Sequence, residues 1–549
     1  MAETKTWPWA NDPTLNRVEL LKLEKDGLDI IDTIVNKYAK EGFASIHPDD
    51  FDRFKWAGVY QQRPKQGHFM MRVRIPGGIL TSRQARALAG IAKDYGRDLV
   101  DVTTRQAVQF HWLTVESLPD IFGRLEAVGL SSLEACGDCP RTIVGNPLAG
   151  IDPNEVLDTR PIVEEVNNFF VGNRDFSNLP RKYKISISAN VYNTAHAEIN
   201  DLSFTPAKKV IDGEEVVGFH VWVGGGLSTR PYMAQKLDVF CRPEEVLKVA
   251  IGVTTLFRDH GYRQKRTHAR LKFLVADWGV EKFREELVKL VGELETAGED
   301  LLKGWNAGYF YGIHPQKQEG YYYAGLSVPV GRMSADELAE LARLADEYGD
   351  GTIGTCNSQN VLLRYIPEEK VDAFQKEPLI QNRFLLKPKP FVGYAVSCTG
   401  IEFCNLAIVE TKERMRALAQ YLDEHVELDT PVRIHMVGCP NSCGQRQIAD
   451  IGLQGALVKT EQGTVDAFDL FVGGTLGPSA RFNHRLKGRV PAERLGPVLA
   501  QLIEAYKAER LADEAYWQYV ERVGVAHIQA QLDQILASLT EPSADQMVQ

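Results

Sequence analysis

The sequence predicts an α+β protein that is internally duplicated, with two copies of one pair of modules related by a pseudo-twofold. Three observations predict it. The chain matches itself at an offset of 253 residues, matches itself again at 249, and shows in each copy of the first match an alternating strand, an amphipathic helix and a second strand.

In chain order, an N-terminal stretch of about fifty residues carries Leu20, Leu21, Ile30 and Ile31 at helical spacing and reads as an arm that wraps the core. The first module follows. FMMRVRIP alternates as a strand, a helix begins at Thr81 or Ser82, and TTRQAVQFH reads as the returning strand. Its copy is YYAGLSVP, a helix capped at Ser334, and a strand ending at LLRYI; Pro76 lies over Pro329, Gly78 over Gly331, Tyr95 over Tyr348 and Gln106 over Gln359. The 249 offset lays Ile185 on Ile434, Asp201 on Asp450, Phe219 on Phe468 and Gly224 on Gly473. A helix is expected from about Pro491, and a polar tail after Ser538. A duplicated molecule of this kind places its ligand where the halves meet.

Bulk properties exclude several classes. A formal charge of −10 argues against nucleic-acid binding, so anion binding must come from local clusters of Arg and Lys. The start, MAETKTWPWANDP, has no apolar signal core and no run approaches membrane-spanning length, which predicts a cytoplasmic protein with no membrane partner. No Gly-x-Gly-x-x-Gly run follows an apolar strand; VWVGGGL lacks the spacing, so no nicotinamide or flavin site is built in.

Cys398 and Cys404 in SCTGIEFC, with Cys439 and Cys443 in GCPNSC, could bring four thiolates round one centre. Thiolates select iron–sulfur clusters or zinc over hard cations. The five residues inside the first pair exceed the usual zinc spacing, while four buried structural cysteines form the third reading. The repeat adds an asymmetry. Asn190 and Thr194 stand where the second copy has Cys439 and Cys443, so only the second half can hold the metal, whereas Gly325 and Ser358 replace the first half's Arg72 and Arg105.

Cations gather in four short segments of the first half: Arg72 and Arg74, Arg105 with His111, Arg141, and Arg181, Lys182 and Lys184. Alternation puts Lys182 and Lys184 on one face with Tyr183 on the other. Two ammonium groups roughly 8 Å apart repel by about 2 kcal/mol at an effective dielectric near 20, so an interior position calls for a bound anion. Arg105, Gln109 and His111 share one strand parity and form a polar row. Solvated strand faces are the plain alternative.

CTGIEFCNLA with GCPNSCGQ, and the duplicated layout, resemble the sirohaem-dependent assimilatory nitrite and sulfite reductase family over about residues 50 to 540. The resemblance implies two ferredoxin-like half-domains and two sirohaem/[4Fe–4S] catalytic half-domains. It divides the chain into an N-terminal helical arm (1–62), ferredoxin-like halves (63–135 and 306–388), an anion-binding catalytic half (136–305), and a cluster-bearing catalytic half with the C-terminal helix (389–549). It implies a [4Fe–4S] cluster on Cys398, Cys404, Cys439 and Cys443, the last also ligating sirohaem iron. It implies that Arg72, Arg141, Lys182 and Lys184 bind the oxyanion and deliver protons, that Arg105, Gln109 and His111 contact sirohaem carboxylates, and that Asn357, Gln359 and Asn360 add to these. Some members carry a Tyr–Cys crosslink, for which Tyr60 and Cys136 are placed; a simply packed Cys136 thiol is the alternative.

The expected reaction is six-electron reduction of sulfite to sulfide. Lys184 stands where plant-type nitrite reductases resembling this chain have Asn, and a dianion rewards an extra cation. Reduction of nitrite to ammonia is the second reading, for which Ser442 and Gln445 speak, and a structural zinc or cofactor-storage protein the non-enzymatic one. Electrons would come from ferredoxin or a separate flavoprotein. Arg481, Arg485, Lys487 and Arg489 offer either a docking patch or a solvated loop.

Overall fold

The computed structural model describes residues 7–460 and 463–540. The first six residues, and the part of the polar tail beyond Thr540, lie outside the described residues. Two compact units are formed: Met1–Gly226 with Tyr232–Leu326 and Arg332–Leu386, and Lys387–Gln549 with Leu227–Pro231 and Ser327–Gly331.

The first unit holds both copies of the strand–helix–strand module, and each lends the other a strand. One antiparallel sheet runs Val59–Gln61, Phe69–Val73, Val108–Leu113, Leu99–Val102, and closes with Arg332–Ser334 from the second copy. The other runs Gly312–Pro315, Tyr321–Leu326, Val361–Pro367, Thr352–Thr355, and closes with Ile79–Thr81 from the first. Met333 pairs with Val100 in one exchange and Leu80 with Ile353 in the other. The chain reaches its lent strand through Gly78, at φ +74°, where a Cβ would lie 2.5 Å from Thr355 O. No side chain fits there.

Each lent strand runs straight into a capped helix. Thr81 Oγ accepts the Gln84 amide while Gln84 answers onto the Thr81 N–H; Ser334 and Glu337 repeat the box for Ala335–Tyr348. Arg86 pairs with Asp346, and Lys93 with Asp336 at 2.9 Å, tying the two helices together. The expected strand TTRQAVQFH is shorter than its alternation implied. It begins at Val108, because Gln106 takes φ +60° and turns the chain; Gln359 does the same at +67° in the second copy.

The first unit also holds a sheet of Gln235–Cys241, Glu214–Val223, Leu202–Ile211 and Glu299–Asp300, with Ile185–Ile187 parallel to Leu202–Ile211. Ile185, Phe204, Val221, Val253, Phe257 and Leu274 form its core against the helices Val246–His260 and Leu271–Val291, the latter broken at Gly279. The second unit repeats the plan. Ile434–Val437 runs parallel to Ile451–Thr460, followed by Gly463–Val472 and His484–Pro491, with Ile434, Leu453, Phe468, Val498 and Leu502 in its core. The single C-terminal helix expected from Pro491 is three helices, Leu495–Glu509, Tyr516–Val523 and Val525–Thr540.

Candidate active site

Four side chains cross one sheet of the first unit in register. Arg72 pairs with Gln109, Gln109 with Asp101, and Asp101 with Arg332 of the lent strand. Arg72 Nη2 donates to Gln109 Oε1 at 2.9 Å, and the Arg332 guanidinium grips Asp101 at 3.0 and 3.2 Å. His111 is fully buried and meets Asp101 Oδ2 at 3.0 Å through Nε2, so it belongs to this row as the partner of a carboxylate. Asp101 and Arg332 went unnoticed in the sequence because the copies had to exchange strands before the two could meet.

Arg72 also directs Nη1 to Cys136 Sγ at 3.6 Å and lies 5.8 Å from the Tyr60 ring, whose hydroxyl is set against the same sulfur. Arg105 sits in the turn before the strand, outside the parity expected to align it with Gln109. Its guanidinium donates to Asn200 Oδ1 at 2.7 Å and to Thr142 O at 2.9 Å. Burial, then Arg141, hold its pKa down to about 9, even with Asp201 acting in the other direction. Nε of both Arg72 and Arg105 is buried with no partner among the described residues.

Arg141 is folded back on its own loop, donating to the Gly137 and Ala135 carbonyls. A backbone bond from Arg141 N–H to Tyr183 O at 2.8 Å stitches that loop to the segment carrying Lys182 and Lys184. Tyr183 is fully buried while Lys182 and Lys184 are half-buried, the expected alternation. Burial, then Arg105, Lys182 and Arg270, push the Lys184 pKa well below its ordinary value. In the second module copy, Asn357 donates to Thr194 O at 3.1 Å and leaves Oδ1 buried without a partner among the described residues. Gln359 is spent on the Val102 carbonyl at 3.0 Å, and Asn360 on the Tyr311 hydroxyl at 2.7 Å.

In the second unit the cysteine loops are interlaced by backbone bonds, Cys398 N–H to Met436 O at 3.2 Å and Ile408 N–H to Gly438 O at 3.0 Å. Gly438 N–H donates to Cys398 Sγ at 3.2 Å. Burial, then the neighbouring Cys443, raise Cys398 to about 12, with Cys404 adding to the effect. Burial likewise raises Cys439, with Cys443 and Cys404 contributing and the Asn441 amide opposing. Buried thiols that crowd one another need a bound metal cation to become thiolates, a form that the amide N–H bonds then favour. Among the described residues no three His, Cys, Asp or Glu side chains converge as a single-ion site. The turn holding Cys443 is set by Ser442 at φ +55° and Gln445 at +58°, with Ser442 Oγ bonded to Gln447 and accepting the Arg446 N–H at 3.2 Å. His435 was missed in the sequence. Its Nδ1 meets the Gly444 and Gln445 carbonyls at 2.9 and 3.2 Å, and burial, then Arg433, lower its pKa to about 3.

Comparison with known proteins decides the family. The model for the nitrite and sulphite reductase 4Fe-4S domain matches residues 136–294 and 390–538, and that for the nitrite/sulfite reductase ferredoxin-like half domain matches 60–128 and 314–379. The chain belongs to the nitrite and sulfite reductase family. It is 43% identical over 509 residues to a ferredoxin–nitrite reductase of Synechococcus elongatus, covering 91% of this chain and 98% of that protein. An assimilatory ferredoxin-dependent nitrite reductase of Haloferax mediterranei is 40% identical over 528 residues, covering 90% of each. The solved Mycobacterium tuberculosis NirA protein superposes with a TM-score of 0.90 at 36% identity, covering 96% of this chain and all of that one.

Like its family, this oxidoreductase uses one [4Fe–4S] cluster and sirohaem, and its residues fit them. The four thiols suit the cluster, and the buried guanidinium groups of Arg72 and Arg105 suit a carboxylate-rich macrocycle. The expected preference for sulfite is overturned, since relatives similar over nearly the whole chain are named as ferredoxin-dependent nitrite reductases. An extra ammonium at Lys184 does not decide between a monoanion and a dianion. Burial and the neighbouring Arg105, Lys182 and Arg270 lower its proton affinity, so it is not a fixed charge of the kind a guanidinium is.

The loop expected to offer a basic patch is largely matched by acids. Arg485 and Arg489 share Asp469 at 2.8 and 3.3 Å, and Arg481 pairs with Glu521 at 2.8 Å. No helix among the described residues is long and apolar enough to cross a membrane.

Proposed function

We propose that this protein reduces nitrite to ammonia with electrons from ferredoxin. The reading is carried by one observation, the set of cations gathered in the first unit, of which Arg72, Arg105 and Lys184 form no ion pair with a carboxylate among the described residues. Full-length relatives named as ferredoxin-dependent nitrite reductases support the choice of anion and donor.

Cys398, Cys404, Cys439 and Cys443 would hold the cluster, and cluster and sirohaem together would supply the single electrons of the reduction. The chain's own residues do the rest. Arg72, fixed by Gln109, and Arg141, fixed by the Gly137 carbonyl, are permanent charges that orient the anion. Lys182 and Lys184 are proton donors; the lowered proton affinity of Lys184 makes it the better acid. Arg105 and Asn357 would meet the macrocycle's carboxylates, Gln109 supports Arg72, and His111, Gln359 and Asn360 hold the surrounding turns and strands. The cytoplasm is the proposed location, a reducing compartment that suits reduced ferredoxin and cysteines kept as ligands.

Steady-state turnover of nitrite and sulfite with reduced ferredoxin tests the proposal. A kcat/KM for nitrite above that for sulfite is expected. The reverse order overturns it.

A further inference from the structure

Beneath the loop that carries Arg141 lies a chain of buried charges that the reaction does not use. Asp138, 1% exposed, receives Arg266 at 2.7 and 3.1 Å, Arg181 at 3.4 Å, and Lys22 Nζ at 3.5 Å. Lys22 belongs to the N-terminal helix Arg17–Glu24 and is itself buried. Its ammonium donates to Leu179 O at 2.8 Å and pairs with Glu19 at 2.5 Å; Glu19 in turn pairs with Arg263 at 2.5 Å. The arm grips the same place twice more, with Asn16 Nδ2 donating to Arg263 O at 2.5 Å and the Trp9 ring 3.6 Å from the Arg263 guanidinium.

The position of Asp138 gives this network its meaning. Its backbone carbonyl accepts the Leu179 N–H at 2.8 Å and its carboxylate holds Arg181, so it joins the 136–141 loop to the segment running from Leu179 to Lys184. Arg141 lies three residues beyond Asp138, and Lys182 one beyond Arg181. The two segments are held together on this acid-bearing base, and the Arg141 N–H bond to Tyr183 O at 2.8 Å ties them again between Arg141 and Lys182. Burial would raise the Asp138 pKa, but Lys22, Arg266 and Arg181 outweigh it and hold the carboxylate well below the usual range. The ionised group is thus locked, since removing one buried partner leaves the others uncompensated.

We propose that Asp138 is a positioning residue for the anion-binding cations Arg141 and Lys182, and that Lys22 brings the N-terminal arm into this role. It rests on the reading of Arg141 and Lys182 as nitrite-binding groups. The arm, in which the sequence showed nothing catalytic, therefore sets the spacing of the charges that grip the substrate. A displacement of such groups by an ångström or less is felt in substrate affinity before it is felt in the fold.

The test uses the full-length holoenzyme with nitrite and reduced ferredoxin, comparing Lys22→Met, Lys22→Arg, Arg266→Gln and Arg141→Ala, with iron content and the visible spectrum recorded for each. Lys22→Met is expected to raise the nitrite KM about tenfold with kcat within about twofold. Lys22→Arg should restore most of the affinity, and Arg266→Gln, whose side chain reaches the surface, should shift KM in the same direction. An unchanged KM in whichever of Lys22→Met and Arg266→Gln retains its cofactors overturns the proposal; so does loss of cofactors from both, which would make the network a support for the fold alone. If Arg141→Ala raises KM while the network variants do not, only the role of Asp138 falls. If Arg141→Ala also leaves KM unchanged, the reading of the anion site falls with it.

Discussion

Arg270 holds Asp201 by both carboxylate oxygens, Nε to Oδ1 at 3.1 Å and Nη2 to Oδ2 at 2.6 Å, and in doing so releases Lys184. The duplicated copy shows why. There Arg433, at the position equivalent to Lys184, itself clamps Asp450 at 2.8 and 2.9 Å while its N–H donates to the same carboxylate. Lys184 keeps only the backbone bond, N–H to Asp201 Oδ2 at 2.9 Å. The guanidinium supplied from elsewhere in the chain leaves the lysine side chain available for chemistry.

Replacing Arg270 by Met should therefore strand a fully buried Asp201. A loss of about 3 kcal/mol is expected, read as a lower midpoint of thermal denaturation of the holoenzyme. Arg433→Met should cost a similar amount without touching nitrite affinity.

Lys184→Arg keeps a cation but removes a group able to give up its proton. Nitrite binding should persist while kcat falls by about a hundredfold, measured by steady-state kinetics alongside anion-induced changes in the visible spectrum. Equal loss in binding and turnover would assign Lys184 to charge alone.

Glu134 gives a pH dependence of opposite sense to that of paired carboxylates. It is buried, and that burial raises its pKa from 4.5 to about 7 against the Gly172 N–H and Arg74. Below 4.5 the carboxyl is protonated in both folded and unfolded chains, so it has no effect on the slope. Between 4.5 and about 7 the unfolded chain releases the proton that the fold retains, so stability falls as pH rises, by about 1.4 kcal/mol per unit. Glu134→Gln should flatten this stretch of the stability profile and denature later than the parent at pH 8.

Cys443→Ser should strip or loosen both cofactors, seen as lost iron and a collapsed visible spectrum. The apo protein should also melt earlier, because groups bound only by the fold stabilise it by mass action.

Much of this was legible in the chain. The paired capping boxes at Thr81 and Ser334, the split of Tyr183 from Lys182 and Lys184, and the cysteine loops follow from local spacing. What escaped depended on distance. Arg270 reaches Asp201 across 69 residues and Arg332 reaches Asp101 across 231, and neither partner has a local signature. The choice of anion escaped for a different reason. A sequence counts ammonium groups but not their mutual repulsion, and Lys184 beside Arg105, Lys182 and Arg270 is a case where that repulsion matters. Arg105 was misplaced because the left-handed Gln106 ends the strand that its parity assumed.

The reciprocal strands Ile79–Thr81 and Arg332–Ser334 carry a consequence for how such a protein can change. Once each repeat completes its neighbour's sheet, neither can be deleted, swapped or expressed alone without leaving a raw edge of unpaired amides. Duplication made the repeats free to diverge in their side chains, one toward anions and one away from them, while this mutual loan of backbone made them inseparable. Fragments cut anywhere between the two loans should recombine only when both are present together.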